Sequence, residues 1–341
     1  MSDLRFDPVS GHWVSIATNR NDRPFEYVPS EQIVKRPLCP FCAGNESETP
    51  AELMVYNAAG ESVDHADDSW LVRVVPNKYP SFSMASESGQ PKTQSVEFTP
   101  GSGYRSGTDH GIQELIIPTS RHMVSIGDLT EQEATVGMQA CQQRIAAIRS
   151  GGQMQHAMLF TNCRSAAGAS LEHIHSQLIA SPIQSAALES RCRRNVEHSN
   201  EHGKLLLESI VQWELEKGDR IIEQTEHFTV LCPYASRFAF QTWIVPTRHG
   251  PYFDQIDSEV TADLTQLVQR QVQRLEATLD QPAYNVLYHI PPFDQSEGNP
   301  WFVEIFPRLT TPAGFELGTD IWINPVAPET ASRRLCQARK V

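Results

Sequence analysis

Two histidines one residue apart, His173 and His175, stand in the run "SLEHIHSQLIA" (170–180), with Gln177 two places further on. Imidazoles bind metals, move protons and attack phosphorus centres, and each task can be done by a neutral ring near pH 7. Three readings of the pair follow. Both rings are hydrogen-bonded surface or core groups, both are ligands of one metal, or one is fixed by a metal while the other stays free as base or nucleophile. The stretch just before, "NCRSAAGASLEH" (162–173), sets an asparagine, small residues and a serine ahead of the histidines. Backbone amides there can approach a phosphate closely. A neutral imidazole facing such an anion site is a phosphorus nucleophile, and the phosphoramidate it forms can be cleaved by a second acceptor.

Cys39-Pro-Phe-Cys42 is the other chemical spacing in the chain. A Cys-x-x-Cys pair reads as half a zinc site, as a redox motif, or as two ordinary thiols. Four-ligand zinc needs two further donors, and His122 at the end of a strand together with His173 can supply them.

The elements that must position these groups come from a repeat. "ELIIPTSRHMVSIGDLTEQEA" (114–134) and "TWIVPTRHGPYFDQIDSEVTA" (242–262) each give an apolar strand, Pro-Thr, an Arg-His pair, a turn and an acidic helix start. Helical spacing follows at Val136, Met138, Cys141, Ile145 and Ile148, and at Val260, Leu264, Leu267, Val268, Val272 and Leu275. Each helix leads to a β-like run, "HAMLFTN" or "YNVLYHI", and then to a second strand, "HIHSQLIA" or "WFVEIFPRL". From His122 to His249 the separation is 127 residues, and the same offset carries Asn162, His173, His175 and Gln177 onto His289, Pro300, Phe302 and Glu304. A duplicated strand–helix–strand unit is expected, with the histidine pair kept only in the first copy. If 173–180 is one strand, His173, His175, Gln177 and Ile179 share a face and Ile174 and Leu178 take the other. "PGSGYRSGTDHG" (100–111) reads as a plain surface loop, and 195–220 as a polar turn and an amphipathic helix joining the halves. Strands and helices without strict alternation define an α+β class, with antiparallel sheets flanked by helices.

A chain of 341 residues accommodates two such units. Its net charge of −13 argues against a nucleic-acid binder. No apolar run reaches the roughly 18 residues that a membrane span requires. The N-terminal "MSDLRFDPVSGHW" does not read as a signal peptide, and seven scattered cysteines suit reduced thiols, so a soluble cytoplasmic protein is expected.

Eight segments in order carry a resemblance: "RFDPVSGHWVSIATNRNDRP", "CPFCAGNESETP", "VRVVPNKYP", "ELIIPTSRH", "AGASLEHIHSQL", "PYASRFAFQTWIVPTRH", "AGFEL" and "INPVAPE". The chain resembles the galactose-1-phosphate uridylyltransferase family, the transferase branch of the histidine-triad superfamily, over nearly its whole length. The resemblance implies two tandem histidine-triad-like units: a catalytic half with a zinc site over 1–194 and a degenerate half over 195–341 that contributes to a sugar-phosphate pocket. It implies His175 as nucleophile, Gln177 as partner of the transferred phosphoryl, and Cys39, Cys42, His122 and His173 as ligands of one structural Zn2+. Arg20, Arg23, Asn77, Tyr79, Asn162, Gly168, Ala169 and Ser170 match its nucleotide- and phosphate-binding positions.

The implied activity moves UMP from UDP-glucose to galactose 1-phosphate through a uridylyl-histidine, in a cytoplasmic homodimer whose partners are a nucleotide sugar and a sugar 1-phosphate. There are departures. Ile174 stands where proline is common, and Arg164 stands where many members have glycine, either solvated or gripping a substrate. Phe302 and Glu304 replace histidines of a second metal site, leaving His289, so no second metal is expected. Thr310 and Trp322 replace lysine and glutamine in the sugar-phosphate pocket, which keeps Glu316, and Arg308 is the compensating cation. Two alternatives therefore stand beside the main reading: an adenylyl-transferring phosphorylase acting on ADP-glucose or a dinucleoside polyphosphate, and a zinc-stabilised nucleotide-binding protein without catalysis.

Overall fold

From His156 to Cys163 half-buried and buried residues alternate without a break, the pattern of a strand that packs one face on a core. The computed structural model describes residues 3–19, 38–67, 69–84, 96–248, 252–295 and 299–338. In chain order its elements are β1 (Asp3–Phe6), β2 (Trp13–Ile16), β3 (Met54–Tyr56), β4 (Ser62–Val63), β5 (Val72–Pro76), β6 (Val96–Phe98), β7 (Arg105–Gly107) and β8 (Ile112–Ile117). Helix α1 (Glu131–Ser150), β9 (His156–Cys163), β10 (Ser176–Ser181), α2 (Ala186–His202) and α3 (Leu206–Lys217) follow. The second half holds β11 (Ile221–Gln224), β12 (Phe228–Leu231), β13 (Thr242–Pro246), α4 (Ser258–Leu279), β14 (Tyr284–His289), β15 (Phe302–Pro307), α5 (Gly314–Thr319), β16 (Ile321–Asn324) and α6 (Pro328–Gln337).

Eleven strands form one antiparallel sheet in the order β11-β12-β13-β15-β14-β9-β10-β8-β5-β3-β4. The quartets β5-β8-β10-β9 and β12-β13-β15-β14 run in mirrored order about the β9–β14 seam, where Asn162 lies opposite Asn285. This is the arrangement a duplicated unit gives when its copies meet about a local two-fold axis. Short 3-10 turns at Ile126–Asp128 and Phe253–Gln255 stand 127 residues apart, as do the starts of α1 and α4. The contacts between copies are reciprocal: Gln142 Nε2 donates to the Phe253 carbonyl at 3.2 Å, and Gln269 Nε2 donates to the Ile126 carbonyl at 3.4 Å.

Both long helices lie on one face of this sheet. Val136, Met138, Cys141, Ile145 and Ile148 of α1 are buried, as are Leu264, Leu267, Val268, Val272 and Leu275 of α4. Each large aliphatic among them contributes roughly 1.5–3 kcal/mol by leaving water. The α1 start is a capping box between Thr130 and Glu133, and the same Glu133 carboxylate accepts from Thr119 Oγ1 at 2.6 Å and from Arg121 at 2.6 Å. One buried helix cap thus fixes the 119–122 loop that carries His122.

Two expectations change. The stretch 195–202 is helical rather than a turn, because α2 runs from its Ser185 cap to Gly203, whose φ of 68° ends it. The 100–111 stretch contains β7, an exposed strand that pairs with β6. A second small sheet, β1-β2-β16, joins the two chain ends, with β2 and β16 parallel. Among the described residues no helix is long and apolar enough to cross a membrane.

Candidate active site

The histidine pair does not sit in a strand. Ladder pairing on β10 begins at Ser176, opposite Ile116 and Thr161, and the preceding backbone leaves the sheet because the Ile174 N–H donates to the Met123 carbonyl at 2.7 Å. The expected common face therefore loses His173, while His175 and Gln177 both reach the cleft. Leu178 and Ala180 face the core and Ile174 is buried, but His173 turns to the cysteines while His175 turns to a cleft.

His173 is fully buried and its Nε2–H donates to the Thr119 carbonyl at 3.0 Å, which leaves the Nδ1 lone pair directed at Cys39 Sγ and Cys42 Sγ, each 3.5 Å away. His122 Nδ1 lies 3.4 Å from Cys42 Sγ. The four donor atoms are all within 4.8 Å of one another. A tetrahedral zinc, with bonds of about 2.3 Å to sulfur and about 2.05 Å to nitrogen, has sulfur-to-nitrogen edges of about 3.5 Å. The residues fit such an ion. Burial pulls the His173 imidazole down to about 4, so the ring is neutral and able to ligate. Burial and then the adjacent Cys39 push the Cys42 thiol up to about 12, so metal binding there displaces protons. Cys39, Cys42, His122 and His173 can hold one metal ion, with all four positions filled by protein.

His175 donates its Nδ1–H to the carbonyl of His173 at 2.8 Å. A carbonyl only accepts, so this bond fixes the tautomer and leaves a lone pair on Nε2, with no hydrogen-bond partner among the described residues. Burial holds the ring below the usual imidazole value, against the smaller opposing effect of that hydrogen bond. The Phe41 ring meets both imidazoles edge-on, at 6.0 Å from His173 and 5.1 Å from His175.

A cleft of about 450 Å³ opens beside His175. Gln177, Ser170, Asn77 and Tyr79 line it, against an apolar wall that includes Leu38, Phe41, Val75 and Leu115. Imidazole, amide, hydroxyl and apolar surface thus meet in a space that suits a small-molecule ligand. Two lining or neighbouring residues were missed from the sequence. Lys78, between Asn77 and Tyr79, is the lone lysine or arginine among the described residues of the cleft, and its ammonium donates to the Glu48 carbonyl at 3.2 Å. Gln113 on β8 contacts Gln177 from behind. Lys78 falls inside a segment already singled out, whereas nothing in the sequence marks Gln113.

The remaining expected residues lie elsewhere. Asn162 accepts from Asn285 Nδ2 at 2.7 Å in the β9–β14 seam, and neither Asn162, Gly168 nor Ala169 lines the cleft. The N–H groups of Ala167, Gly168 and Ala169 donate within their own turn. Arg164, at φ 67°, sends its guanidinium to the Pro282 carbonyl at 2.9 Å and toward Glu276 and Gln281, so it ties the turn to the second copy. Glu316, Thr310 and Trp322 line a separate hollow of about 140 Å³ with Arg237 and Phe238. Arg308 lies over the Phe238 ring at 5.8 Å. Arg20, Arg23 and His249 are outside the described residues.

In the second copy the equivalent positions form a closed ionic network. Arg191 Nη1 donates to His289 Nδ1 at 2.6 Å, so His289 carries its proton on Nε2 and donates it to Glu304 at 2.7 Å. Gln241 and Arg237 also donate to Glu304. Phe302 stacks on His289 at 4.4 Å where the first copy has His175.

A two-unit α+β fold with a buried, tautomer-fixed histidine beside a nucleotide-sized cleft is the frame of a nucleotidyl-transferring protein. The family description "Galactose-1-phosphate uridyl transferase, N-terminal domain" matches residues 1–184, and the chain belongs to that family. A domain of unknown function, DUF4921, matches residues 109–340. The chain is 30% identical to ADP-glucose phosphorylase of Arabidopsis thaliana, over 97% of this chain and 91% of that one. A crystal structure of an Arabidopsis thaliana ADP-glucose phosphorylase with bound ADP-glucose superposes with a TM-score of 0.81 at 28% identity, covering 99% of this chain and 100% of that one. The galactose-1-phosphate uridylyltransferase of Thermotoga maritima is 24% identical over 98% of both chains.

Proposed function

We propose that this chain transfers the adenylyl group of ADP-glucose to inorganic phosphate, with His175 as nucleophile. The observation that carries the proposal is the His175 ring at the cleft, with Nδ1–H donated to the His173 carbonyl and the lone pair on Nε2 unshared among the described residues. In the first step Nε2 bonds to the α-phosphorus, the bond from that phosphorus to the bridging oxygen breaks, and glucose 1-phosphate leaves. In the second, a phosphate oxygen attacks the same phosphorus, the P–N bond breaks, and ADP leaves with His175 regenerated. Substituted on Nε2 and still protonated on Nδ1, the ring of the intermediate is cationic. Its hydrogen bond to the His173 carbonyl therefore strengthens as the reaction proceeds, which is the kind of interaction that lowers a barrier.

The metal, proposed to be zinc, holds His173 and with it that carbonyl. Lys78 faces the phosphates and Ser170 the transferred group. Two observations support the adenine donor and the phosphate acceptor: the 30% likeness to an ADP-glucose phosphorylase along almost the whole chain, and the hollow where hexose-phosphate contacts are expected, which carries Thr310 and a Trp322 ring packed 5.3 Å from Phe238. The second reading is uridylyl transfer from UDP-glucose to galactose 1-phosphate, favoured by the family match over 1–184 and the Thermotoga maritima relative. Seven free cysteines support a reducing cytoplasm, and the exposed Phe315 and Leu317 beside the hollow support a homodimer.

The test is trapping. Intact mass after mixing with ADP-glucose or UDP-glucose should show an adenylyl adduct, lost in His175→Gly, and phosphate should discharge it as ADP. A uridylyl adduct alone would favour the second reading. No adduct with either donor would leave a binding protein without catalysis.

A further inference from the structure

We propose that Gln113 is a positioning residue that sets which end of the Gln177 amide faces the cleft. The proposal rests on the reading above, in which a phosphoryl group is transferred at His175 beside Gln177.

The two ends of a glutamine amide differ in chemistry but hardly in shape, so something must choose between them. Residues 113 and 177 lie diagonally across the β8–β10 pair, where Gln177 is opposite Leu115 and Ile179 is opposite Gln113. Positions 113 and 115 point to one face, so both glutamines share it, and long side chains reach across such a diagonal. The choice starts at Ser81. Its backbone N–H can only donate, and it does so to Gln113 Oε1 at 2.8 Å. Gln113 must therefore turn Nε2 the other way, where it donates to Gln177 Oε1 at 3.4 Å. With its oxygen engaged from behind, Gln177 presents Nε2–H2 to the cleft as a donor.

That orientation matters for a phosphoryl group, which offers only acceptor oxygens. A donor there stabilises the charge that spreads over those oxygens in the transition state, and a carbonyl turned into the cleft would repel it. Gln113 also accepts the Asn77 N–H on its main-chain carbonyl at 2.9 Å, so one residue ties the 77–81 wall of the cleft to the amide on β10.

Glutamate at 113 is the informative change, because it keeps the shape and still accepts from Ser81 while it cannot donate to Gln177 Oε1. The carboxylate instead attracts the Gln177 NH2 and turns the carbonyl to the cleft. Leucine at 113 removes both contacts and leaves Gln177 free to adopt either orientation. The single-turnover rate of nucleotidyl-enzyme formation should fall about 10²-fold in Gln113→Glu, the scale of losing one transition-state donor, and roughly 10-fold in Gln113→Leu, with the KM for the nucleotide sugar within about twofold of wild type. A residue that serves only the fold gives the reverse order, since leucine loses the Ser81 bond and glutamate keeps it. Gln113→Glu within about twofold of wild type, or Gln113→Leu slower than Gln113→Glu, would overturn the assignment. Wild-type protein that forms no adduct overturns the transfer reading itself, and the role with it.

Discussion

Replacing Glu304 by Gln tests the closed network of the second copy. Burial alone would raise the Glu304 carboxyl, but the Arg237 charge and the His289 N–H donor outweigh it and hold the group at about 2, against an ordinary value of 4.5. At about 1.4 kcal/mol per pKa unit, that difference favours the folded state by about 3 kcal/mol. An independent route gives a similar figure, because removing one partner of a buried ion pair typically costs about 3–5 kcal/mol by leaving the other charge uncompensated. Arg237 would be left so. Because the folded value is depressed, the contribution is complete above the unfolded value near 4.5 and is lost as pH falls from there toward 2. Denaturant unfolding of wild type and Glu304→Gln should thus differ by about 3 kcal/mol at pH 7, and the gap should narrow steadily below about pH 5. A difference under about 1 kcal/mol at pH 7, or one that widens in acid, would refute the assignment of Glu304 as an ionised structural anchor.

Two further outcomes follow from the first copy. Elemental analysis should find one metal equivalent per chain, lost in Cys42→Ser. Its removal by a chelator should lower the melting midpoint by several degrees and cut turnover in parallel, because a loss of about 2 kcal/mol moves a large domain by roughly 4–8 °C and the His173 carbonyl then no longer holds His175. Lys78→Met should reduce kcat/KM for phosphate by roughly 10- to 100-fold, with Lys78→Arg recovering most of it, since a charge-assisted bond to an anion contributes about 1.5–3 kcal/mol. Steady-state kinetics with varied phosphate measures it, and an unchanged value would remove Lys78 from the anion site.

The duplication was legible because it lies in order and offset: the 127-residue spacing of the Arg-His pairs anticipates the matching 3-10 turns and the paired helices. The buried positions of α1 and α4 were legible for the same reason, since helical periodicity is a property of neighbours. The alternation read into 173–180 holds for His175 and Gln177 at the cleft and for Ile174 and Leu178 in the core, but not for His173, because periodicity cannot tell where a strand begins. One long-range bond, from Ile174 to Met123, pulls the backbone out of the sheet and sends two adjacent histidines to different tasks. Within 162–170 the structure sets Ser170 at the cleft and pairs Asn162 with Asn285 of the other copy, a contact that local spacing does not show.

By itself the sequence determined the chemistry on offer: two imidazoles at a fixed spacing, a cysteine pair, a glutamine two places after the second imidazole, and two copies of one unit. Tertiary structure alone decided how those groups are deployed, including the His175 tautomer, the engagement of Arg164 with the second copy, and the contact between Gln113 and Gln177. The reason is physical. Residue type and spacing act over a few positions of chain, whereas a proton's place on a ring or the direction of an amide depends on whichever carbonyl or N–H the sheet register brings alongside.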